Sequence, residues 1–140
     1  MARIPHLVGC SLVGLFAVGL SYAVAQTADD AEDNDAKPKH KIEDVMHEAH
    51  LAPEGEKSLR DRVLEGDATP EEKQKLLDLY ISLAENKPPR GELEDFQKKT
   101  RAVVIAAAKI VVGRKDGPAA LKKATVCAAC HKDHKPPQER

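Results

Sequence analysis

Thr69-Pro70-Glu71-Glu72-Lys73-Gln74-Lys75-Leu76-Leu77-Asp78-Leu79-Tyr80-Ile81-Ser82-Leu83-Ala84-Glu85-Asn86 opens on the clearest helix start in this 140-residue chain. Thr69 is a natural N-cap, Pro70 suits the first helical position, and Glu72 stands where it completes a capping box. Leu76, Leu77, Tyr80, Leu83 and Ala84 then recur at intervals of three and four, which places them on one face turned to a core. The helix is expected to run to about Asn86, where Pro88-Pro89-Arg90-Gly91 stops it and turns the chain.

The same period extends in both directions, and no strand-like alternation persists beyond a few residues. A first helix is expected from about His40 to Leu51, with Ile42, Val45, Met46 and Ala49 as its inner stripe. Leu51-Ala52-Pro53-Glu54-Gly55 breaks it, and a short helix resumes near Glu56 with Leu59 and Val63 inward and Gly66 as its stop. A third long helix spans roughly Glu92 to Val112, its seam formed by Leu93, Phe96, Thr100, Val103, Ala107 and Ile110. After a turn at Gly113 to Gly117, Pro118 opens the last helix, and Pro136-Pro137 ends it. Ala120, Leu121, Ala124, Cys127, Ala128 and His131 define its expected inner face. Helices of this length joined by short turns predict an all-α fold, an antiparallel up-and-down four-helix bundle. Charge runs such as Glu71-Glu72-Lys73 and Lys98-Lys99 read as solvated helix faces.

The last helix carries the chemistry. Cys127-Ala128-Ala129-Cys130-His131 has the spacing by which c-type haem is attached. On a helix these three side chains share one face, so each thiol is placed to add to a haem vinyl group. His131 then stands under the iron as proximal ligand. Other uses of the pair fit less well. A redox dithiol normally follows a strand, a structural zinc site wants four ligands, and a disulfide within one helical turn is strained. The predicted cofactor is therefore one covalently attached haem c. His134, three residues on, is too close to reach the opposite haem face. It reads as a partly exposed residue of the terminal turn, satisfying the last carbonyls.

A helical bundle of this size with its haem motif in the last helix resembles the cytochrome c prime family. Family members typically carry C-x-x-C-H-x-x-aromatic-basic there, where this chain has Cys127-Ala128-Ala129-Cys130-His131-Lys132-Asp133-His134-Lys135. The resemblance covers about Lys41 to Lys135. It implies that Cys127 and Cys130 are the thioether ligands, His131 the proximal ligand, and Lys135 the basic residue near the proximal face. His134 departs from the usual aromatic, and the first helix is shorter and interrupted at Pro53. The family includes electron carriers with a methionine on the first helix and five-coordinate haems that bind small gases.

That makes the first helix the place to look for a distal ligand. By helical arithmetic Met46 lies about 50° from the centre of the inner stripe, His50 about 90° and His47 about 150°. His47 therefore points to solvent. Met46 is either core packing or the sixth ligand, where it would raise the potential, and His50 is the other distal candidate. The expected function is electron transfer by an exported monohaem cytochrome, and the alternative is a haem protein that binds or senses NO or CO. Peroxidase-like activity needs distal acid–base residues, for which only His47 and His50 offer themselves, so no enzyme is expected.

Export is read from the N-terminus. Residues 1–25 have the form of a secretory signal: Arg3, an apolar run from Leu7 to Leu20, and an Ala23-Val24-Ala25 cleavage site. Residues 26–38 form an acidic linker expected to be disordered, and residues 39–140 the helical domain. The mature protein is then expected in the periplasm, free of the membrane. Without the signal, 21 basic residues (22 less Arg3) face 23 acidic ones, a net charge of −2 with no clustered basic patch of the kind nucleic acid requires. Tyr80 and Phe96 remain as the only aromatics of a mature core otherwise built from Leu, Ile, Val and Ala, so the haem-free chain is expected to fold poorly. A redox partner protein is implied, and a homodimer is possible by the resemblance.

Overall fold

The computed structural model describes residues 37–137. The expected signal (1–25) and all but the end of the expected linker (26–38) lie outside the described residues. Among the described residues the chain is helical throughout, in six segments with no strand: α1 (Ile42–His50), α2 (Leu59–Glu65), α3 (Pro70–Glu85), α4 (Leu93–Val111), α5 (Gly117–Ala124) and α6 (Cys127–His134). The arrangement is compatible with a helical bundle. No helix among the described residues is long and apolar enough to cross a membrane.

Local chemistry fixes the helix ends. Thr69 Oγ1 accepts from the Glu72 N–H at 3.3 Å, and Glu72 Oε2 accepts from the Thr69 N–H at 2.9 Å, so the capping box closes. Ser58 starts α2 by accepting from the Asp61 N–H at 3.2 Å. Gly66 ends it at φ 87°, a left-handed conformation that side chains resist.

Packing centres on α3 and α4. Leu76, Leu79, Tyr80 and Leu83 from α3 form one core with Phe96, Val103, Ala106 and Ala107 from α4. α1 adds Val45 and Ala49, α2 adds Leu59 and Val63, and α5 adds Leu121. Burial of each larger side chain stabilises the fold by about 1.5–3 kcal/mol. Asn86 ties the chain entering α1 to the end of α3, donating from Nδ2 to the carbonyls of His40 (2.9 Å) and Ser82 (2.6 Å).

The last helix is the main correction to the sequence reading. It does not run unbroken from Pro118 to Pro136 but stops at Ala124 and restarts at Cys127. Thr125 and Val126 are both β-branched and favour helix poorly. The Thr125 hydroxyl donates back to the Leu121 carbonyl at 2.8 Å and accepts from Arg60 Nε at 2.9 Å, which holds the junction. Val126 is then extended, at φ −71° and ψ 108°. The break turns Cys127 and Ala128, expected on an inner face with Leu121, to the exposed surface. Leu93 is likewise 41 % exposed rather than in the α4 seam, because it is the first residue of its helix. Leu79, which the inner-face reading of α3 passed over, is buried.

Candidate functional site

α6 begins with Cys127 and contains the whole motif. Cys127 is exposed, whereas Cys130 and His131 are half-buried. Cys130 packs against the edge of the core, and burial pushes its thiol up from the ordinary range. With 3.6 residues per turn, Cys127, Cys130 and His131 lie on one face, and Ala128 and Ala129 beside them are exposed. The face thus offers two thiols and one imidazole within about one turn. That donor set suits a porphyrin bound through two vinyl groups and ligated from one side. Among the described residues no group of three or more His, Cys, Asp or Glu side chains lies close enough together to hold a bare metal ion.

His134 is a second correction. It is 3 % exposed, not a wetted terminal-turn residue. Nε2 lies 2.9 Å from Asp95 Oδ2 and Nδ1 lies 3.1 Å from the Arg90 carbonyl oxygen. A backbone carbonyl oxygen and a carboxylate oxygen thus face the two ring nitrogens. Its edge meets Phe96, with ring centroids 5.3 Å apart. The spacing of His134 seven residues from Cys127 gave no sign of burial, since Cys127 on the same face is exposed. What the sequence could not supply was the partner.

The α1 side carries the other candidates. Met46 is half-buried against the core, and His47 is exposed, as the helical arithmetic placed them. His50 is half-buried, and its Nε2 meets the Tyr80 hydroxyl at 3.4 Å. Burial, and then the Arg60 cation, hold the His50 imidazole down at about 4, with His131 acting in the same direction. Tyr80 is fully buried, and that burial raises its phenol beyond the ordinary range. Arg60, which the sequence reading did not single out, links this cluster to Thr125, two residues before Cys127.

No family model matches the chain, and neither does any curated protein or solved structure.

Proposed function

We propose that this protein is an exported, monohaem c-type cytochrome that carries electrons in the periplasm, built as an antiparallel four-helix bundle of the cytochrome c prime kind. One observation carries the reading: Cys127, Cys130 and His131 share a face of α6, with Cys127 exposed at its start. Haem, when bound, supplies an iron that takes up and gives back one electron.

The chain's own residues do the rest. Cys127 and Cys130 would each add S–H across a vinyl double bond, the sulfur bonding to one carbon and the hydrogen going to the other. His131 would give the iron its proximal nitrogen. Met46, on α1, is the proposed sixth ligand, and His50 the lesser candidate, because its Nε2 already meets Tyr80. A partner protein would exchange the electron, and no catalytic turnover is proposed. Retained CO binding by the iron would instead favour the gas-binding reading, with Met46 as aliphatic-side packing.

The reading is tested by changing Cys127 and Cys130 together to Ala and extracting the denatured protein with acidified acetone. Wild type should keep its haem and the double variant should keep none. Haem retained by the denatured double variant would overturn the c-type assignment. The distal ligand is tested by spectrum. Met46→Ala should turn a low-spin haem into a high-spin one that binds CO, while His50→Ala should leave the spectrum as it was. The reverse pattern would assign the ligand to His50.

A further inference from the structure

We propose that His134 is a positioning residue for the motif helix: gripped by Asp95 and by the turn at Arg90–Gly91, it fixes the last turn of α6 on α4 and so sets the direction of His131 one turn earlier. The consequence at the iron rests on the haem reading, whereas the grip itself does not.

α6 needs such a device. It is eight residues long, has no side-chain cap at Val126, and buries a single residue, His134. A helix of two turns is not stable by propensity alone. Among the described residues its helix partner is α4, and it also meets the turn before α4. Cys130 meets the edge of the core, and the side-chain polar contacts of α6 fall in its last turn. His134 binds Asp95 and the Arg90 carbonyl, and Lys99 Nζ donates to Asp133 at 2.9 Å and to Asp95 at 2.6 Å. Arg90 donates from its guanidinium to the Lys132 carbonyl at 2.5 Å. The Lys99–Asp133 pair is open to water on its Asp133 side and contributes little by itself. The buried histidine, with both nitrogens engaged, is the contact whose loss leaves unpaired groups behind.

The turn is fitted to that ring. Gly91 has φ +79°, and a Cβ there would stand 2.7 Å from His134 Nδ1 and 2.8 Å from the Asp133 carbonyl. Only a residue without a side chain lets the two backbones come so close. Asp95 and Lys99 also lie near Cys130, so the grip and the second thiol share one environment. His131 and His134 are one turn apart on a single helix, and a rotation of the freed last turn is passed directly to the imidazole. Ligand orientation is one of the levers that tune a bound metal.

The test uses the full-length protein as purified, in wild-type form and as His134→Leu, His134→Gln and Gly91→Ala. Amide hydrogen exchange is followed across α6 and α3, and the reduction potential and optical bands are recorded. His134→Leu and Gly91→Ala should speed exchange over residues 128–135 by about tenfold or more, with α3 unchanged. Both should also shift the potential, and His134→Gln, which keeps a donor for Asp95, should recover part of each change. Unchanged α6 exchange in His134→Leu and Gly91→Ala overturns the grip. Faster exchange with wild-type potential and bands overturns the positioning role. A wild type that loses its haem on denaturation sinks the haem reading and the consequence at the iron, while the exchange measurement still decides the grip.

Discussion

α3 and α6 are both helices beginning next to a β-branched residue, yet opposite forces hold them. α3 is sixteen residues long, closed by a reciprocal cap, and buries Leu76, Leu79, Tyr80 and Leu83 in the shared core. α6 is half that length, lacks a side-chain cap, and buries one histidine. Apolar burial is non-directional and tolerant, so α3 is held along its length. α6 is held by directional polar contacts at one end, which leaves Cys127 exposed at the other. Anchored at its far end, α6 leaves the Cys127 thiol accessible at its start, while Cys130 in mid-helix packs at the edge of the core.

The largest expected effect would break the α3 side. Leu79→Ala removes a side chain 1 % exposed and should lower global stability by about 2–5 kcal/mol in denaturant titration. Val126→Ala, at the start of the motif helix and 51 % exposed, should change it by less than about 0.5 kcal/mol. Equal losses from the two would abolish the contrast.

Acid sharpens the comparison from the α1–α3 side. Burial lowers the His50 pKa from 6.5 to about 4, so the unfolded chain takes up its proton first as pH falls. Stability is therefore unaffected by this group above about pH 6.5 and declines between there and pH 4, on the order of 3 kcal/mol in all. His50→Gln should flatten that window in thermal melts read at several pH values. A variant that declines as steeply as wild type would show that other groups carry the slope.

Smaller effects follow at the helix ends and on the surface. Thr69→Ala opens the capping box of α3 and should cost about 1 kcal/mol, visible as a lower denaturant midpoint at unchanged slope. Lys57 lies between Glu65 and Asp67, but all three are solvated, so Lys57→Ala should leave the denaturant midpoint close to wild type, and closer still in high salt. A loss that survives high salt would point to packing by the lysine stem instead.

Much of this was legible in the chain itself. The capping box at Thr69, the stop at Gly66 and the stripe of Val45 and Ala49 are local or periodic signals, and each stands where the sequence put it. The half-buried place of Met46 and the exposed place of His47 follow from the same period. The spacing of Cys127, Cys130 and His131 is likewise a property of any helix that contains them. The expected unbroken final helix failed because its inner-face pattern was carried through Thr125 and Val126. The junction there is held by Arg60, 65 residues away in sequence.

Sequence alone thus determined that the chain is helical, where most of its helices begin, and that two thiols and an imidazole share one face, because these depend on contacts within a turn or two. Only the tertiary structure decided that the last helix divides, that His134 is buried between Asp95 and the Arg90 carbonyl, and that His50 meets Tyr80. Those outcomes join residues 30 to 65 positions apart. A polar side chain carries no mark in the sequence of which distant donor or acceptor will satisfy it, and that choice is made when the helices pack.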